Sequence, residues 1–233
     1  DNAEWIYSSG YKIGGQDSIK QSAEYLHLKP TIDTKRKFNE DTGQFCTVIE
    51  SQEKFEAPRS EKLFSSPVLV ISETLGANRI PMQLFENNSQ PFNISFVGIH
   101  APQSETGALK GIFERLYKNE VAFKVNKMYM LLTSSKLLIH KETAFIKEDL
   151  DHLPYPENEE HLMMSPEEKI IQEDVLNYYI HLGKAITAKS AGNVFGRQVD
   201  DQQLISYGKT FCQTLNPMYS KNGKSWQAGE INF

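Results

Sequence analysis

The sequence predicts an α/β (α+β) protein, with a mixed β-sheet body and packed helices over residues 1–156 and a helical tail over residues 157–233. Three observations carry this reading. Short β-rich or apolar runs such as Val68-Leu69-Val70-Ile71 read as strands. Leu109, Ile112, Phe113 and Leu116 recur at i, i+3, i+4, i+7, the spacing of one helix face. Leu153-Pro154-Tyr155-Pro156 then interrupts regular structure, because each proline lacks an N–H and restrains the residue before it. Only helical patterns follow it.

In chain order, residues 1 to 40 are polar, with early glycines and a basic triplet, Lys35-Arg36-Lys37. Phe45-Cys46-Thr47-Val48-Ile49 is the first predicted strand. Val68 to Ile71, after Pro67, is predicted as a buried strand, and Ile94 to Ile99, between Pro91 and Pro102, as a third. A helix follows, with Ser104 as its cap and Glu105 at its positive end. Residues 120 to 133 fit helix or strand. Lys136 to Ile139 and Ala144 to Ile146 read as short strands. In the tail, Ser165-Pro166-Glu167-Glu168 is a capping box with proline at the first helical position. Ile171, Val175, Tyr178, Tyr179 and Leu182 form the apolar stripe of that helix, which is expected to end near Gly183. Asp200 with Gln203 caps a last helix lined by Leu204, Gly208, Phe211 and Leu215, which Pro217 stops.

Composition narrows the function. Thirteen Phe, ten Tyr and two Trp among 233 residues can bury a sizeable core, so disorder along the whole chain is excluded. No apolar run approaches the ~20 residues of a membrane-spanning helix. No signal peptide is visible at Asp1-Asn2-Ala3-Glu4, and the missing initiator Met suggests a processed product or a piece of a longer chain. Two distant cysteines, Cys46 and Cys212, favour a reducing, cytoplasmic setting over a disulfide scaffold. The net charge is 25 − 30 = −5, which argues against non-specific coating of nucleic acid. Residues 151 to 175 hold eight acids against Lys169, a net −7, so the rest of the chain is (25 − 1) − (30 − 8) = +2. The window from Lys110 to Lys147 holds eight bases and three acids, a net +5.

Catalytic signatures are absent from the sequence. The six histidines include no HExxH and no i, i+4 pair on a convincing helix. GxSxG, a phosphate-binding G-K-[ST] after Gly14-Gly15, and GxGxxG are all missing. Glu50-Ser51-Gln52-Glu53-Lys54 and Glu61-Lys62 contain the residue types of a metal-dependent nuclease, without paired aspartates at a strand end. Asn216-Pro217-Met218-Tyr219 is similar to the NPPY loop with which DNA amino-methyltransferases grip a flipped base, but it follows a capped helix rather than a strand and has no cofactor-binding glycine loop upstream, so helix termination is the better reading. Binding is therefore the better class of explanation.

Several of these runs, taken together, fit one family. Ser65-Ser66-Pro67-Val68-Leu69-Val70-Ile71, then Phe92-Asn93-Ile94-Ser95-Phe96-Val97-Gly98-Ile99, then the helix from Glu105 to Tyr117, come in its order. Ala144 to Pro156 closes the series, and Asp174-Val175-Leu176-Asn177-Tyr178-Tyr179 follows. The stretch from about Phe64 to Pro156 resembles the target recognition region of adenine-specific DNA methyltransferases of restriction-modification systems. It is similar to their TaqI-like C-terminal domains and to type I specificity domains. The chain departs from the family at Lys118-Asn119-Glu120, where an Asn-Ser is usual, and at Glu157-Asn158-Glu159-Glu160. Residues 1 to 60 and 185 to 233 carry no resemblance.

The resemblance implies a module that reads double-stranded DNA and helps present an adenine for flipping. It also implies no cofactor in this chain, with S-adenosylmethionine and methyl transfer belonging to a methyltransferase catalytic domain of the same or a partner polypeptide. The chain would then be a C-terminal fragment of a bacterial enzyme, with no membrane partner. Phosphate contact needs surface Lys or Arg, and base readout needs polar side chains on loops. The candidates are Lys35, Arg36, Lys37, Asn78, Arg79, Lys124, Lys127, Lys136 and Lys141. Asn78 and Arg79 occupy a turn after a strand. Tyr117, Phe123, Tyr178 and Tyr179 are expected to pack rather than stack on bases. The acidic stretch is expected to lie away from DNA. The competing readings are a protein-interaction domain and a metal-dependent nuclease.

Overall fold

The computed structural model describes residues 4–15, 19–76, 79–134, 144–155, 157–158, 163–187, 206, 208–210 and 213, with helix residues 180–187 described by backbone alone. The chain divides into two compact units, Asp1–Met163 and Met164–Phe233. The class is α+β, as expected.

Eight strands are described in the first unit: β1 (Ile6–Ser9), β2 (Gln21–Ser22), β3 (Pro30–Ile32), β4 (Thr47–Ile49), β5 (Lys54–Phe55), β6 (Val68–Ser72), β7 (Met82–Phe85) and β8 (Phe96–His100). Four of them form an antiparallel sheet in the order β1-β8-β6-β7. In register, Val70 lies opposite Gly98 of β8 and Gln83 of β7. The pairs β2-β5 and β3-β4 are separate two-stranded ribbons.

The unbroken apolar run in β6 has a direct cause. All five residues of β6 are buried, and the strand alternation splits them between two cores. Leu69 and Ile71 pack with Val97, Leu109, Leu116, Met130, Phe145 and Leu150 on one side. Val68 and Val70 pack with Tyr11, Phe55, Phe64, Phe92 and Phe96 on the other. A strand covered on both faces cannot alternate polar and apolar residues. The second core is aromatic, with Tyr11 edge-on to Phe55 at 5.1 Å and Phe64 edge-on to Phe92 at 5.1 Å between ring centres.

Helix α1 (Thr106–Phe113) follows β8 and continues as one π turn, Glu114–Lys118, closed by Asn119 N–H donating to Glu114 O at 3.1 Å. Ser104 does not cap it. A tight turn over Gln103–Glu105 leads in instead, and the Thr106 hydroxyl donates back to Gln103 O at 2.8 Å. The ambiguous residues form helix α2 (Glu120–Thr133). Asn119 is its cap. Its Oδ1 accepts from the Val121 and Ala122 amides at 3.1 and 3.2 Å.

The expected strand Ala144 to Ile146 is corrected to a single bridge between Ala144 and Thr74, after which helix α3 (Lys147–Asp151) begins. The Phe145 amide donates to Glu73 O at 3.0 Å, which docks this segment beside β6. The expected strand Lys136 to Ile139 lies outside the described residues.

In the second unit, helix α4 (Pro166–Thr187) begins with the expected capping box. Ser165 N–H donates to Glu168 Oε2 at 2.7 Å and Glu168 N–H to Ser165 Oγ at 3.2 Å. The helix runs past Gly183. Tyr178 is not in a covered stripe, since it is 56% exposed. The last predicted cap at Asp200 and Gln203 lies outside the described residues, as do Leu204, Phe211 and Leu215. No described helix is long and apolar enough to cross a membrane.

Candidate nucleic-acid interface

Apart from Lys124, the structure separates the described predicted cations into two settings. Asn78, Lys136 and Lys141 lie outside the described residues.

The first setting is the connection between β3 and β4. Lys35, Arg36 and Lys37 are all exposed there, on a backbone held by its own side chains. Asp33 Oδ1 accepts from the Lys35 amide at 2.8 Å, and its other oxygen pairs with Arg36 Nε at 3.6 Å. Asn39 Oδ1 accepts from the Asp41 and Thr42 amides at 3.0 and 3.1 Å. Gly43, at φ 68°, takes the left-handed conformation that closes the turn. Phe38, next to the triplet, packs on Phe45 at 4.7 Å and edge-on to Tyr117 at 6.1 Å. The Phe45 amide donates to Gln83 Oε1 on β7 at 2.7 Å, tying the connection to the sheet.

The second setting is interior. Arg79 is half-buried, with its guanidinium carbon 4.6 Å from the Tyr117 ring centre and 4.2 Å from that of Phe123. Its Nη1 donates to Tyr117 O at 3.4 Å. Lys127 is only 4% exposed. Its ammonium donates to Gly76 O at 3.3 Å, and the Gly76 amide donates to Arg79 O at 2.9 Å. One turn therefore joins the two cations. Burial pushes the Lys127 amine below its ordinary value, against the opposing pull of Glu40. Burial also raises the Tyr117 phenol, while the Arg79 charge works to lower it. A Cβ on Gly76 would stand 2.7 Å from Glu40 Oε1, which puts that carboxylate against the same turn.

Lys127 was expected at a phosphate-contacting surface and is instead inside. The reason is helical phase. Ala122, Asn126, Lys127 and Met130 are the buried residues of α2, and Lys127 falls on their face. Lys124, on another face, is half-buried and pairs with Glu120 at 3.1 Å. Arg79 is sandwiched rather than presented to solvent, and sequence reasoning missed its partners Tyr117 and Phe123. Tyr117 is a core residue.

The residue types of a nuclease are not gathered. Glu50 accepts from the Tyr11 hydroxyl at 2.8 Å, and Glu53 lies 3.7 Å from His27. Among the described residues, no group of three or more His, Cys, Asp or Glu could hold a metal ion.

No family model matches the chain, and no curated protein matches it.

Proposed function

We propose that this chain is the DNA-recognition module of an adenine-specific DNA methyltransferase of a restriction-modification system, a cytoplasmic bacterial enzyme. Methyl transfer and S-adenosylmethionine belong to a separate catalytic domain. One observation supports the reading: each resembling run between Ser65 and Pro156 contributes residues to one core, although Val68, Val70, Phe92 and Phe96 lie in the other. Leu69 and Ile71 of β6, Val97 of β8, Leu109 and Leu116 of the helix after it, and Phe145 and Leu150 of the closing segment are members of the same cluster.

The module's task is positional. Surface cations neutralise phosphates and fix register, while polar loop side chains read base edges. Presenting an adenine to a neighbouring domain needs the duplex held rigidly while one base leaves the stack. The exposed Lys35, Arg36 and Lys37 fit phosphate contact, and the braced backbone beneath them fits rigid presentation. Lys127 holds Gly76 to α2, and Arg79 is held to the π turn.

Duplex binding followed by fluorescence anisotropy against salt tests the reading. Affinity falls linearly on a log-log plot, with a slope of about −0.9 per phosphate neutralised. Absence of duplex binding at low ionic strength overturns it.

A further inference from the structure

We propose that the β3–β4 ribbon, with its connecting loop, is the edge of the module that enters the DNA. The inference rests on the DNA-recognition reading and names the element that carries it out.

The burial of the ribbon disagrees with its composition. Every residue of β4 is exposed, although Val48 and Ile49 are large aliphatics, 41% and 64% exposed. Leu28, just before β3, is 57% exposed at a left-handed φ of 52°. Its amide donates to Glu50 O at 3.1 Å, which keeps it beside the end of β4. Pro30 pairs with Ile49 and Thr31 with Val48. One side of the ribbon is anchored, for Thr31 and Ile32 are buried and Tyr11 Oη lies 3.0 Å from Thr31 Oγ1. Strand alternation puts Ile49 on the face of its exposed partner Pro30, with Leu28 two residues before, and Val48 on the opposite face beside Thr31. Exposed aliphatic patches mark surfaces that bind something.

Charge selects the occupant. In the connection, residues 33–46, the bases are Lys35, Arg36 and Lys37, and the acids are Asp33, Glu40 and Asp41. Two of the acids are turned inward: the Asp33 side chain is 15% exposed and bonds its own turn, and Glu40 faces Gly76. The exposed charge of the connection is therefore positive, with Asp41 as the opposing exposed carboxylate. A cationic loop at one end of an aliphatic two-stranded ribbon suits duplex DNA. The major groove admits a two-stranded ribbon, apolar side chains contact thymine methyl groups there, and the loop cations reach the flanking phosphates.

The test compares the wild-type chain with two variants, K35A/R36A/K37A and V48S/I49S. Duplex binding is titrated with salt, sedimentation reports self-association, and near-UV circular dichroism confirms that each variant is folded. The triple variant is expected to flatten the salt slope by about 2.7, three contacts at about 0.9 each. The serine pair is expected to weaken binding several-fold at unchanged slope, because it removes contact without charge. If wild type binds DNA and the triple variant keeps its slope, the ribbon inference is overturned while the recognition reading stands. If the serine pair binds as wild type does, the apolar half is overturned. If the serine pair abolishes self-association and leaves DNA affinity intact, β4 is a protein-binding face and the inference fails. If wild type binds no duplex, the recognition reading fails and takes the ribbon with it.

Discussion

Arg79 shows how a single side chain can be polar in chemistry and internal in role. Its guanidinium lies between two aromatic faces, and its Nε is buried without a hydrogen-bond partner. Cation–π contacts contribute roughly 0.5–2 kcal/mol each, so Arg79→Ala is expected to lower unfolding stability by about 2 kcal/mol. Arg79→Lys should recover part of that loss. Urea unfolding of the two variants checks this, and an alanine variant as stable as wild type would show that the sandwich contributes nothing.

The tyrosines make a pH prediction. Burial raises the phenols of Tyr7 and Tyr11 above the ordinary value of 10.0, and the nearby carboxylates of Asp151 and Glu50 push the same way. Burial likewise raises Tyr25 and Tyr117. A phenol harder to ionise in the folded state stabilises the fold below its unfolded pKa. That stabilisation is lost as pH rises above 10 toward the folded value. Lys127, lowered by burial, works in the opposite sense, because deprotonation is easier in the folded chain. Four phenols against one amine leave a net loss above pH 10. Tyrosinate absorbance at 295 nm is expected to rise together with the loss of near-UV circular dichroism. Full ionisation near pH 10 with the dichroism intact would contradict it.

At the level of elements, glycine sets how closely the sheet and the aromatic core approach. A Cβ on Gly98 would lie 2.2 Å from Phe92 Cζ, and one on Gly10 would lie 2.1 Å from Phe92 O. Phe92 is fully buried and cannot swing away. Gly98→Ala and Gly10→Ala are each expected to cost about 1–3 kcal/mol through overpacking. Gly10→Ala is expected to be the worse, because its obstacle is backbone. The sequence offered no sign of this, since each glycine's constraint is a residue distant in the chain. Helix starts are the contrast. The Ser165 box was visible in four residues, because capping is local. Ser104 was a false cap for the same reason: the residue type was right, but a tight turn over 103–105 took the position. Asn119→Ala should cost about 1 kcal/mol at the start of α2, measured by thermal unfolding. No change would mean that the π turn, rather than the cap, starts the helix.

For the whole molecule, the proposed DNA reading makes a prediction from the charge distribution. The acidic residues of α4 include the exposed Glu173 and Asp174, which are expected to stay away from phosphates. Glu173→Gln with Asp174→Asn should therefore leave the salt slope of duplex binding unchanged. A steeper slope would show that the acidic helix lies against the DNA, because removing repelling charge at a contact recruits additional phosphates.

The residues alone announced the α+β class, the buried strand at Val68, the helix after β8 and the Ser165 start of α4. These signals are periodicity, caps and proline breaks, which act within a few residues of one another. Tertiary structure alone decided which cations are free to meet a partner. Lys127 and Lys37 are the same residue type, yet one is held inside by α2's phase and the other stands exposed beside Phe38. It likewise decided that β4 keeps its aliphatics outside. Burial depends on what the rest of the chain brings to a surface, and that is a long-range property which no local pattern of residues encodes.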